Sequence, residues 1–196
     1  MNIVAIDLTS EIHYISIEFN GNKYHLEFNE ENRAQRNDWE NKIQVIKTHE
    51  PKFDFAKCDR FAYAAGPGSY TGARLAYTFL QTIKLITGKD FFGVSNLAAL
   101  CYKHKNHTPI IKGSKKDIFY NENDKDLFTE DISLIQKLGP FVVLEDQNFD
   151  FEAMAKVKKS SIVRNILDMT RERLDLALQN NYPNYIKELA YKRINE

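Results

Sequence analysis

The chain has 196 residues and carries 27 Lys+Arg against 27 Asp+Glu, so its formal net charge is zero. That balance argues against a free-standing binder of nucleic acid or of a membrane surface, which carries a basic excess. It leaves room for a subunit that contributes to such a site only within a complex. A hydrophobic share of 43% with 28% charged residues is the composition of a folded chain of one large or two small domains, not of disorder. No apolar run approaches the roughly 20 residues that span a bilayer. Met1 to Asp7 lacks the basic and long apolar regions of a signal peptide. Cys58 and Cys101 stand alone, as expected of two reduced, buried thiols in a cytoplasmic protein.

Ile3 to Asp7 is a short β-branched run ending in an acidic residue, followed by a turn at Thr9 and Ser10. His13 to Phe19 and Lys23 to Phe28 alternate apolar and polar residues around the hairpin signal Asn20-Gly21-Asn22, so the chain opens with a three-stranded β-meander. Glu30 to His49 reads as a polar helix ended by Pro51, with Ala34, Trp39, Ile43 and Ile46 as a thin apolar stripe. Phe61 to Ala65 is a small-residue strand. Tyr70 to Thr87 is the clearest helix, with Ala76, Phe79, Ile83 and Ile86 on its core side and Gly88 as its stop. Phe91 to Val94 is a strand, and Ser95 or Asn96 caps a short helix through Leu100. In the second half, Thr108 to Ile111, Asp117 to Tyr120 and Phe141 to Leu144 read as strands. Ile132 to Leu138 reads as a short helix and Val163 to Leu178 as a long amphipathic one. No internal repeat is visible. The order β-β-β-α-β-α-β-α predicts an α/β fold in which antiparallel strands join parallel ones reached through helical crossovers.

Between the small-residue strand and the long helix lies Gly66-Pro67-Gly68-Ser69-Tyr70-Thr71-Gly72-Ala73-Arg74. Gly66 and Gly68 permit a sharp turn, Pro67 stiffens it, and Ser69 or Thr71 can cap the helix. Gly72 in the first turn lets another group approach closely. A helix start of this kind can hold an anion, yet the stretch has neither the Lys-Ser/Thr of a P-loop nor the dinucleotide-binding glycine pattern. On residue physics alone, a tight packing elbow is the stronger reading.

The motif resembles the Gly-Pro-Gly-Ser-Phe/Tyr-Thr-Gly-x-Arg signature of the TsaB (YeaZ) family. Ile3 to Asp7 is similar to that family's opening strand, Arg33-Ala34-Gln35 stands in the place of its His-Thr/Ser-Gln/Glu, Gly93 to Leu97 resembles its Gly-Val-Ser-Thr/Ser-Leu, and Pro183 to Lys187 resembles its Pro-x-Tyr-Leu-Arg. The resemblance is closest over residues 1 to about 100 and returns near the end. It implies an actin-like fold of two ribonuclease-H-like subdomains, 1–102 and a reduced 103–196, the last residues packing back on the first. It also implies a non-catalytic subunit, without cofactor, that pairs with a TsaD-like catalytic subunit and a TsaE-like ATPase. That assembly places threonylcarbamoyl on N6 of adenosine-37 of tRNA, and tRNA is met only through the complex. A homodimer is the alternative when the chain is alone.

The residues agree with a role outside catalysis. An actin-like ATPase needs Asp-x-Gly-Thr/Ser where this chain has Asp7-Leu8-Thr9-Ser10, and the Thr9 side chain obstructs phosphate. Asp7 is left to cap the turn. Lys112 stands where a second carboxylate is wanted. His104 and His107 lack a third ligand. Ser69 superficially matches a nucleophile elbow but fits capping better. Lys103, Lys105, Lys112, Lys115 and Lys116 read first as a solvated loop face and second as a tRNA contact. The other readings are an actin-like small-molecule kinase or ATPase and a peptidase of the old glycoprotease label. For a scaffold the working surface is packing. Arg33, Gln35, Trp39, Tyr70, Ala73, Tyr77 and Leu80 are the expected partner-facing residues, with Trp39 replacing the leucines of relatives after Asn37-Asp38 and Tyr77 as anchor.

Overall fold

The computed structural model describes residues 1–29, 38–113, 116–149, 154–172 and 181–187. The opening meander is β1 (Ile3–Asp7), β2 (Ile12–Phe19) and β3 (Asn22–Asn29). A helix α1 (Trp39–His49) leads to β4 (Arg60–Gly66), then α2 (Tyr70–Thr87), β5 (Phe91–Ser95) and α3 (Asn96–Cys101). These strands form a sheet in the order β3-β2-β1-β4-β5, antiparallel through the meander and parallel from β1 onward. Strand β1 is central and covered on both faces, which is why Ile3-Val4-Ala5-Ile6 is continuously apolar. Strand β3 lies at the edge and leaves Lys23, His25 and Glu27 exposed.

The second sheet is built from β6 (Thr108–Lys112), β7 (Ile118–Glu122), β8 (Lys125–Thr129), β9 (Phe141–Leu144) and β10 (Met154–Val157), followed by α4 (Ser160–Glu172). Its order, β10-β9-β6-β7-β8, repeats the first sheet: a meander joined by its first strand to two parallel strands. The repeat is structural, with no trace in the sequence. The reduction of the second half lies in its connections, not its strands. Where α1 stands in the first half, residues Ile132–Leu134 and Gln136–Leu138 form two 3₁₀ turns in place of the expected helix.

Three cores hold this together. One lies between the first sheet and α1 and α2, around Ile6, Phe61, Tyr63, Ala76 and Leu80. A second joins both sheets through α3 and α4, bringing Ala62 and Leu97 together with Val142 and Ile166. A third, smaller core beneath the 3₁₀ turns gathers Ile110, Ile135 and Phe141. The expected residues 30–37 of the first helix and 173–178 of the last fall outside the described residues.

Candidate functional site

The glycine elbow is a packing joint. Ser69 Oγ accepts the Gly72 amide at 3.2 Å and so caps α2, and the Ser69 amide donates to the Thr9 carbonyl at 2.8 Å. A Cβ on Gly72 would lie 1.7 Å from the Leu8 carbonyl oxygen, and one on Gly68 would lie 2.8 Å from the Thr9 Cβ. The two glycines therefore let the start of α2 press on the β1–β2 turn. Gly66-Pro67 is a cis peptide.

That turn is filled by a side-chain network. Asp7 Oδ1 accepts from the Thr9 amide at 2.8 Å and from Thr9 Oγ1 at 2.6 Å. Asn96 Nδ2 donates to Thr9 Oγ1 at 2.8 Å and to the Pro67 carbonyl at 3.1 Å, while Asn96 Oδ1 accepts the Gly66 amide at 3.1 Å. Thr9 thus occupies the space a glycine would leave open. Asp7 is 2% exposed, and burial raises its pKa against the opposing hydrogen bonds from Thr9 and the Lys159 charge.

Beside this network a cleft of about 940 Å³ opens between the sheets, with Ile111, Phe119, Leu144 and Ile162 as its apolar wall. Its lysines are engaged. Lys112 Nζ donates to the Asn148 carbonyl at 3.2 Å and lies over the Phe149 ring. Lys159 pairs with Asp146 at 2.8 Å, and Lys187 with Asp117 at 2.7 Å. A nucleotide phosphate with its metal, the group an actin-like cleft implies, does not fit these residues. The Thr9 side chain fills the loop, Asp7 is committed to Thr9, and a lysine stands at the end of β6.

The outer face of α2 is covered by residues Asn181 to Lys187. Tyr182 packs on Tyr77 with ring centroids 5.4 Å apart, and Tyr185 on Tyr70 at 5.5 Å. Arg74 Nε donates to the Tyr185 hydroxyl at 2.8 Å, which gives the motif arginine a role that sequence left unassigned. Tyr77 also touches Tyr63 and Phe91. Two expected partner contacts are corrected: Ala73 and Leu80 are each 1% exposed. Leu80 joins Ala76 and Ile83 in the core because α2 rolls that side onto the first sheet. The same rotation corrects Ile86, expected inside, which is 75% exposed beside Leu85 at 85%. These two residues were missed as surface candidates, and their signal was an apolar run wider than one stripe. Trp39 stacks on Phe79 of α2 at 3.5 Å, so it fastens α1 to α2. Arg33 and Gln35 lie outside the described residues. Thr71 is exposed in the first turn of α2.

The remaining candidates do not converge. Lys103 lies 3.9 Å from Asp168, whereas Lys112 sits in the cleft, and Lys115 lies outside the described residues. His104 and His107 meet edge to face. Among the described residues, no three His, Cys, Asp or Glu side chains are grouped to hold a metal ion. Burial pushes the Cys58 thiol up to about 12 and raises that of Cys101, so both are poor nucleophiles. No helix among the described residues is long and apolar enough to cross a membrane.

Two ribonuclease-H-like sheets, joined by a shared helical core with a cleft between them, define an actin-like fold. The family model for TsaD, tRNA N6-adenosine threonylcarbamoyltransferase, matches residues 34–135, more than half of the chain, and the chain belongs to that family. Among solved structures, YeaZ from Pseudomonas aeruginosa superposes with a TM-score of 0.64 at 13% identity, covering 94% of this chain and 99% of its own. The crystal structure of an uncharacterized protein with similarity to peptidase YEAZ from Pseudomonas aeruginosa gives 0.66 at 13% identity, covering 95% and 99%. The TsaB (YeaZ) resemblance in the sequence is thus met by the fold. A search of the curated proteins gives no match.

Proposed function

We propose that the chain is a non-catalytic, cytoplasmic subunit of the machinery that forms N6-threonylcarbamoyladenosine at position 37 of tRNA. In this reading it pairs with a TsaD-like catalytic subunit, is joined by a TsaE-like ATPase, and meets tRNA only through that assembly. Residues 1–102 carry the partner face and 103–196 the second subdomain. The observation that carries the reading is the Thr9 plug, locked by Asp7 and Asn96 where a nucleotide-using relative needs open backbone. The surface left for work is the part of α1 and α2 that residues 181–187 do not cover. There Leu85 and Ile86 present apolar area to solvent in the last turn of α2, the helix whose Phe79 stacks on Trp39 of α1. Arg33 and Gln35 also bind the partner in this proposal, and the chain alone can form a homodimer.

Calorimetry on the isolated chain with Mg-ATP, in parallel with co-purification on a tagged TsaD-like subunit, tests this reading. The expected result is no ATP binding by the chain alone and retention on the partner. Tight, metal-dependent ATP binding by the isolated chain would instead return it to the kinase or ATPase class.

A further inference from the structure

The two sheets touch along one side through α3 and α4. The chain bridges them a second time through residues 181–187, whose Ile186 packs against that same core. The hydroxyl of Tyr63 donates to the Asn181 carbonyl at 2.7 Å, and the Asn184 amide donates to the Ala65 carbonyl at 2.8 Å, both on β4. The same Asn184 reaches the second sheet, its Nδ2 donating to Asp126 Oδ2 at 2.6 Å. Asp126 also accepts from Asn121 of its own hairpin and from Ser95 Oγ at the end of β5. Three residues on, Lys187 bonds Asp117 Oδ1 at 2.7 Å, lies 3.4 Å from Glu130, and sits over the Phe128 ring at 4.8 Å. Lys187 is also part of the cleft wall.

We propose that residues 181–187 are a clamp that fixes the angle between the two sheets. A cleft held by one packed apolar core can hinge about it, because apolar contacts slide where directional bonds between the two sheets do not. Here rotation must break charge-assisted hydrogen bonds at Asp126 and Asp117, which are the strong class of such bonds. The clamp is seated on α2 by the Tyr182–Tyr77 and Tyr185–Tyr70 ring contacts, and on β4 by the two bonds above. The cleft is therefore held at one width, and the α2 face is tied mechanically to the second sheet. Nothing in this depends on the partner proposed above.

The test uses the full chain with Cys58→Ala and Cys101→Ala, spin-labelled at Thr82→Cys on α2 and Lys137→Cys beside the second sheet, both exposed positions. Pulsed dipolar spectroscopy should give one narrow distance. Asn184→Ala removes only the side-chain link to Asp126, and Lys187→Met removes the link to Asp117. Each should broaden the distance distribution, and hydrogen exchange in the peptide covering 181–187 should speed up about tenfold or more. Circular dichroism confirms folding, and Lys187→Met carries the test if Asn184→Ala does not fold. An unchanged distance distribution in a folded variant overturns the clamp, whether or not exchange rises. Unchanged exchange overturns it as well.

Discussion

Thr9 shows how one side chain can close a site. Its hydroxyl donates to Asp7 and accepts from Asn96, tying the end of β1 to the start of α3 across 87 residues of sequence. The substitution pattern at Asp7-Leu8-Thr9-Ser10 was legible without coordinates, because a β-branched residue at a phosphate-loop glycine has one steric meaning. Asn96 was legible only as a helix cap. Its reach to Gly66, Pro67 and Thr9 depends on tertiary placement that no local pattern encodes. Gly72→Ala tests the joint directly. With 1.7 Å to the Leu8 carbonyl, the new methyl must push α2 off the turn, and a loss of about 3 kcal/mol or more in urea unfolding is expected. Asp7→Asn keeps the Oδ1 acceptor for Thr9 and removes the buried charge. The folded pKa of Asp7 lies above its ordinary 3.8, so the native state keeps this proton where the unfolded chain has released it. Wild-type stability from this group therefore falls as pH rises from about 3.8 through the raised value. Unfolding curves across pH should show Asp7→Asn gaining on the wild type over that interval, with a constant difference below it.

At the scale of elements, α2 was the most legible, since its span Tyr70–Thr87 and a cap at Ser69 or Thr71 follow from local chemistry, and Ser69 is the one that caps it. Its rotation was not. Apolar residues cover so much of the helix that several stripes fit the period, and the choice among them is made by the first sheet and by the covering segment 181–187. Leu80 therefore turned inward and Ile86 outward. The two strands missed in the second half, β8 and β10, are short, and their burial is mixed. Both lie at the edges of the sheet, and neither Lys125–Thr129 nor Met154–Val157 alternates apolar with polar residues cleanly enough to mark a strand. The Trp39–Phe79 stack fastens α1 to α2, and Trp39→Ala should cost about 2 kcal/mol, read as a shift in thermal midpoint. Ala73→Arg is expected to unfold the chain, being 1% exposed, so it cannot serve as a surface probe.

The whole molecule is a duplicated sheet whose halves share strand order but no visible sequence repeat. The fold class was readable from the order of elements in the first hundred residues, where crossovers constrain the topology. The duplication was legible only through the family resemblance and not as a repeat, because its second copy keeps strands and replaces a crossover helix with 3₁₀ turns. In this account the fold works through its surface: the phosphate loop is plugged, and apolar area stands on α2. The direct measurement is co-elution of the full chain with a TsaD-like catalytic subunit, comparing wild type with Leu85→Asp and Ile86→Asp. Both side chains are exposed, so the substitutions should leave stability within about 0.5 kcal/mol. If the chain works through this surface, the wild type elutes in complex and both variants, still folded, elute free. Association unchanged by either substitution, or none with the wild type, contradicts it.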